Sequence, residues 1–258
     1  KWNLGVSSNI VDKPLILNML VVGDREYANL ASLCIKSFVY FNPRSTFVIH
    51  SDTRNKKVLQ KKLRFWLKIH KKVNIRFREI QPNVSWQDAK LSIVEKMIGT
   101  DEIFMDADLL WNGQLPQKLN PYFFVNEFDL ESKNEYQRLV SSLKTKGISN
   151  SSMKNTSLFS WNNLQVENFS ALRNEIELLI QELIQSELNL KVRQHLIRIR
   201  EQLFLSVLFD FLPISVDYLK SWDFQGDGQF VESSYFGATG SRFRPWGISS
   251  RKFSVSKR

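Results

Sequence analysis

Between Leu15 and Trp111, short apolar runs alternate with longer stretches whose apolar residues recur every three or four positions. This alternation restricts the fold more than any other feature. "LILNMLVV", Leu15 to Val22, is closed by Gly23-Asp24 and reads as a buried strand. "REYANLASLCIKSFVYF" has helical spacing, with Leu30, Leu33 and Phe38 on one side. "TFVIH", Thr46 to His50, is a second strand, and a basic helix follows it. In "VNIRFREI", Val73 to Ile80, residues Val73, Ile75, Phe77 and the aliphatic part of Glu79 alternate as in a third strand. "SWQDAKLSIVEKMIG" is a helix, and "DEIFMDADLLW" holds a fourth strand. Strand and helix in turn, at this spacing, predict an α/β fold with a mainly parallel sheet. Such sheets bind ligands beyond the carboxyl ends of their strands. Asp24, Asp106 and Asp108 all fall at such ends.

The second half reads differently. Tyr122 to Phe128 and Asn155 to Trp161 are expected strands, and the segment between them is a long excursion of the kind that often forms a lid. Leu164 to Phe211 is helical, with Ile176, Leu179, Ile180, Leu183 and Ile184 forming a core seam. His195 is expected in a solvated basic stretch. The tail, "FVESSYFGATGSRFRPWG", has no clear period.

Composition sets limits. Cys34 is the only cysteine, so no intramolecular disulfide forms, and it is expected in the core. No apolar stretch is long enough to span a bilayer. The expectation is a cytoplasmic protein in peripheral contact with a membrane. The net charge of +10 favours anionic partners. Much of the excess lies in "RNKKVLQKKLRFWLKIHKK", Arg54 to Lys72, which contains no acid. Its apolar residues, Val58, Leu59, Leu63, Phe65, Trp66, Leu67 and Ile69, leave a cationic face on a helix. That face is either simply solvated or in contact with a membrane surface or anionic polymer.

Asp106 and Asp108 carry the chemistry. Side chains two apart on a strand share one face, and at the strand's end they converge. Two hard oxygen ligands suit Mg²⁺ or Mn²⁺, with a phosphorylated substrate completing the shell. Ala107 between them is small enough for a tight turn.

With these pieces in place, the chain resembles the nucleotide-sugar glycosyltransferases of the GT-A fold, especially the retaining glycosyltransferase family 8. The resemblance implies a Rossmann-like single domain over residues 1–258 with helical C-terminal additions. Residues of about 12–112 would form the nucleotide-binding half and about 113–258 the sugar donor and acceptor half. "VVGDREYANLASLCIKSF" is similar to the family's first strand and loop, which implies nucleoside contacts from Asp24 and Tyr27. "WQDAKLSIVEKM" resembles the helix whose basic residue reaches the nucleotide-sugar, here Lys90. "DADLLW" matches the Asp-x-Asp that holds a divalent metal, Mn²⁺ or Mg²⁺, through Asp106 and Asp108. "NTSLFSWN" is similar to the sugar-facing strand, with Asn155 matching and Ser157 where a Gly is usual. "EQLFLSVLF" resembles the family's Asp-Gln helix, with Glu201 for the Asp and Gln202 kept. "GATGSRFRPW" resembles the segment that closes over the diphosphate, with Gly240, Arg242, Arg244 and Trp246 in it and Arg in place of the usual Lys. The family's third metal ligand, a His before that Gly, has no counterpart in Ser233 to Ala238.

The implied reaction is transfer of a sugar from a nucleotide-diphosphate sugar, with a UDP-sugar favoured, to a carbohydrate, lipid-linked or protein acceptor. Catalytic roles fall to Asn155, Glu201 and Gln202. A retaining enzyme needs no strong base, because the leaving phosphate takes the acceptor's proton. An inverting one would draw its base from Glu127, Asp129 or Glu201. Two other readings compete: a degenerate sugar-binding relative without activity, and a sugar-phosphate nucleotidyltransferase. The latter needs a Gly-rich phosphate loop, where this chain has only Gly23. Nucleic acid is not an expected partner, since it leaves Asp106 and Asp108 unexplained.

Overall fold

In the computed structural model, which describes residues 14–81, 83–109, 111, 115, 122–126, 141, 145, 154–212 and 217–218, the strand–helix alternation is realised element by element. The strands are β1 (Leu15–Val21), β2 (Ser45–Ser51), β3 (Asn74–Glu79), β4 (Ile103–Met105), β5 (Tyr122–Asn126), β6 (Lys154–Ser160) and β7 (Asp217–Tyr218). The helices described are α1 (Arg25–Phe41), α2 (Thr53–Ile69), α3 (Trp86–Met97), α4 (Phe169–Ser186), α5 (Leu190–Arg198) and α6 (Arg200–Phe211). The strands form one sheet in the order β3-β2-β1-β4-β6-β5-β7. Pairing is parallel from β3 through β4 and antiparallel on both sides of β6. The sheet therefore continues across the boundary expected near residue 112.

Side-chain alternation divides the core in two. Leu17, Met19, Val21, Phe47, Ile49 and Met105 lie in one buried cluster with Ala28, Ile35 and Phe38 of α1 and Leu59 and Leu63 of α2. Phe104 and Phe159 lie in the other, with residues of α3, α4 and α6. Their rings stack at 5.4 Å, and Trp161 stacks on Phe209 at 5.0 Å while its Nε1 donates to the Val94 carbonyl. Successive strand residues point to opposite faces, so one sheet serves both clusters.

The helix starts are set locally. The Asp52 side chain accepts from Asn55 N at the start of α2, and Ser85 accepts from Asp88 N at the start of α3. Gly23, with φ +87°, turns the chain between β1 and α1 in a conformation that favours glycine. Asn55 Nδ2 donates to the Gly23 carbonyl at 3.0 Å, tying the start of α2 to this turn.

Several side chains depart from expectation. Leu33 is 41% exposed, because the inner face of α1 is instead Ala28, Ala31, Cys34, Ile35, Phe38 and Val39. Phe65 and Ile69 of α2 are exposed rather than on its apolar side. The long helical stretch breaks into α4, α5 and α6, and His195 on α5 is half-buried. Cys34 is buried, as expected. The lid-like excursion falls outside the described residues except at Ser141, Thr145 and Lys154, the last of which opens β6.

One polar network crosses the sheet's interior. Asn18 of β1 is buried and donates to Glu102 Oε2 at 2.7 Å, which turns its carbonyl oxygen toward His50 Nε2, 3.1 Å away. His50 therefore donates from Nε2. Burial lowers the His50 pKa from 6.5 to about 4, helped by the positive charges of Arg78 and Lys96. The folded chain keeps the ring neutral while the unfolded chain protonates it, so stability from this group falls as pH drops from 6.5 toward about 4. His50→Gln removes that dependence. In urea unfolding the wild type should lose about 1 kcal/mol more than His50→Gln between neutral pH and about pH 5.5.

Candidate active site at the carboxyl edge of the sheet

β1 and β4 are parallel neighbours, so the residues that follow them emerge at the same edge. Asp24 stands at the N-cap of α1, yet its side chain makes no capping hydrogen bond. Tyr27, one turn into α1, is 47% exposed. Its phenol pKa is raised, first by burial and then by the negative charges of Asp108, Asp24, Asp106 and Glu26. Both aspartates of the Asp-x-Asp stretch thus share one negative field with Asp24 and the tyrosine. Ala107 between them is buried, and Asp106 N donates to the Ser157 carbonyl at 2.7 Å, which pins the turn against β6.

Beneath this edge lies Lys90 of α3, only 3% exposed. Its ammonium donates to Asp106 Oδ1 and to Thr156 Oγ1, each at 3.2 Å. Glu201 Oε1 of α6 is 3.8 Å away, and the Phe104 ring centroid lies 4.8 Å from the ammonium. A buried cation needs such company. Glu201 is 4% exposed, and its carboxyl pKa is raised because burial outweighs the attraction of Lys90. Its Oε2 has no hydrogen-bond partner among the described residues. Arg200 Nη2 donates to Asp88 Oδ1 at 2.8 Å, a second bond between α6 and α3.

The structure thus brings Asp24, Tyr27, Asp106, Asp108, Lys90 and Glu201 into one region. Gln202 follows Glu201 on α6 and is half-buried. Asn155 is placed on β6, where its backbone pairs with Phe124, and its side chain lies outside the described residues. Gly240, Arg242, Arg244, Trp246, Glu127 and Asp129 also lie outside them. Two members of the Lys90 cluster were not anticipated, Thr156 and Phe104. Thr156 stands next to the singled-out Asn155, and Phe104 offered no signal apart from its place in an apolar strand.

Among the described residues, no group of three or more His, Cys, Asp or Glu is arranged to hold a metal ion. Asp106 and Asp108 remain as a pair. Mg²⁺ is commonly held by one or two carboxylates together with substrate phosphates and water. The pair therefore fits an ion that shares its shell with a diphosphate.

No protein-family model matches the chain, and no curated protein matches it. Among solved structures the chain is similar to the galactosyltransferase LgtC in complex with donor and acceptor sugar analogs. Identity is 15%, coverage is 78% of this chain and 72% of that one, and the TM-score is 0.50. The fold is the GT-A fold. Two further likenesses are more distant. The glycosyltransferase GlyE of Streptococcus pneumoniae shows 11% identity over 81% of this chain and 46% of its own, with TM-score 0.42. A mannosyltransferase of Pyrobaculum calidifontis, in complex with GDP-Man and Mn²⁺, shows 10% identity over 77% and 74%, with TM-score 0.36.

Removing one partner of a buried pair strands the other. Lys90→Met should lower the unfolding free energy by about 3 kcal/mol in urea titration. Lys90→Met with Glu201→Leu should recover most of that loss, because no lone buried charge remains.

Proposed function

We propose that this chain is a glycosyltransferase that moves a sugar from a nucleotide-diphosphate sugar, with a UDP-sugar favoured, and retains the anomeric configuration. The observation that carries this reading is the meeting of Asp24, Tyr27, Asp106 and Asp108 at one sheet edge above the buried Lys90–Glu201 pair. The GT-A fold, and the donor and acceptor analogs bound in LgtC, support it.

Charge explains the arrangement. Four carboxylates surround Tyr27, so an anionic diphosphate needs a cation to approach. Asp106 and Asp108 would hold Mn²⁺ or Mg²⁺, which when bound stabilises negative charge on the leaving diphosphate. Lys90 neutralises part of Asp106 from below and fixes its direction. Asp24 and Tyr27 bind the nucleoside, Tyr27 by its exposed ring. Gly240, Arg242, Arg244 and Trp246 are the proposed diphosphate contacts, since guanidinium forks match phosphate oxygens.

In the reaction the bond from the anomeric carbon to the diphosphate oxygen breaks through an oxocarbenium-like state, and the acceptor oxygen bonds that carbon from the same side. The acceptor's proton passes to the leaving diphosphate. Asn155 and Gln202 orient the sugar. Glu201, buried and with one oxygen unpartnered among the described residues, accepts from a sugar hydroxyl and steadies the developing positive charge. The acceptor is a carbohydrate, lipid-linked or protein hydroxyl.

Thermal-shift measurements with UDP-, GDP- and CMP-sugars, with and without Mn²⁺, test this reading. A Mn²⁺-dependent shift with a UDP-sugar is expected. Asp108→Asn should abolish it and lower turnover by about 100-fold or more. Asp106→Asn should also lower the melting point, since it weakens the Lys90 cluster. No shift with any donor would overturn the proposal, and a shift without turnover would identify a binding protein instead.

A further inference from the structure

The outer face of α2 is not absorbed by the site. Leu59 and Leu63 are buried on its inner side, with Val58, Trp66 and Leu67 packed against the same cluster. The opposite side carries Lys57, Lys61, Arg64 and Lys68, all exposed, on steps of three and four residues. Phe65 and Ile69 stand among them, 73% and 79% exposed. They are one helical turn apart, so they form a small apolar ridge within a cationic stripe.

This arrangement does not stabilise the chain by itself. Like charges at Lys57 and Lys61, and at Arg64 and Lys68, are four residues apart and repel. Among the described residues, the one ion pair made by α2 is Lys56 with Glu79 at 3.9 Å, on another side of the helix. The Lys68 ammonium lies 5.4 Å from the Phe65 ring centroid. Two large apolar side chains in water and a run of uncompensated cations have one setting that satisfies both. At an anionic bilayer, cations meet the headgroups while aromatic and aliphatic side chains enter the acyl boundary. A nucleic acid would satisfy the charge and leave the ridge unexplained.

We propose that the outer face of α2 docks the protein on an anionic lipid bilayer, with Phe65 and Ile69 inserted at the headgroup boundary. The geometry gives this docking a purpose. Asn55 Nδ2 holds the start of α2 to the Gly23 carbonyl, one residue before Asp24. The 17-residue helix extends about 25 Å from there. A helix lying in the membrane plane therefore has the sheet's carboxyl edge at its leading end. On the glycosyltransferase reading, the acceptor reached from that edge is anchored in the same membrane.

Sedimentation of the full chain with phosphatidylcholine vesicles, with and without roughly one-quarter phosphatidylglycerol, tests the docking. The wild type should sediment with the anionic vesicles only, and less so as salt rises. Lys61→Gln with Arg64→Gln and Lys68→Gln should weaken partitioning by about 100-fold. Phe65→Ser with Ile69→Ser should weaken it by about 10-fold and leave the salt dependence in place. Both variants should keep the wild-type melting point and any donor-induced shift. Equal binding of wild type to neutral and anionic vesicles would sink the proposal. So would wild-type partitioning by the triple variant, or tighter binding to duplex DNA that ignores Phe65→Ser and Ile69→Ser. A chain that docks but shows no donor shift keeps the membrane proposal and loses the enzymatic one.

Discussion

A single ammonium organises the candidate site of this molecule. Lys90 carries its charge into the interior, where it is 3% exposed, and its neighbours come from three elements, β4, β6 and α6. Asp106 follows β4, Thr156 lies on β6, Glu201 on α6 and Phe104 on β4 itself. A buried charge with three oxygen neighbours and an aromatic face is tolerable, whereas one that has lost any of them is costly. The same contacts that make Lys90 tolerable also fix Asp106 and join α3 to α6. Stability and site geometry are thus coupled, and the turn holding the two aspartates cannot shift without disturbing the helical layer behind it.

The sheet explains why so few residues suffice. Parallel β1, β2 and β4 deliver their following loops to one edge, so Asp24 and Asp108, distant in sequence, together add to the effect of burial in raising the Tyr27 pKa. β6 enters antiparallel beside β4, and its backbone supplies the carbonyl of Ser157 to the aspartate turn. An antiparallel strand at this position contributes residues from its interior, not its end, to the same edge.

Much of this was legible beforehand because it rests on short-range signals. Period-two and period-3.6 patterns marked the first four strands and three helices, and Gly23 marked the turn. Asp106 and Asp108 were visible as a pair because spacing of two at a strand end is a local property. What escaped notice depends on three-dimensional neighbours. Lys90 stood out only through the family resemblance, and nothing local marks it as the buried cation that β4, β6 and α6 enclose. Leu33, Phe65 and Ile69 count as apolar in a periodic pattern, yet small residues, Ala28, Ala31 and Cys34, take the inner face of α1 and allow its close approach. Asn18, His50 and Glu102 are separated by about thirty to eighty residues, and only the sheet register makes them a network.

Cys34 gives the aspartate turn a built-in reporter. Its thiol is buried, 3.7 Å from the Asp106 carbonyl, and desolvation pushes its pKa upward, with the charge of Asp108 adding to the effect. A protonated, covered sulfur does not react with alkylating reagents. It is also the only thiol in the chain. Thiol-specific labelling therefore reports the excursions in which α1 parts from the turn, and its rate relative to that of an open thiol gives an opening free energy for that seam. One silent atom thus sits directly beneath the aspartate turn.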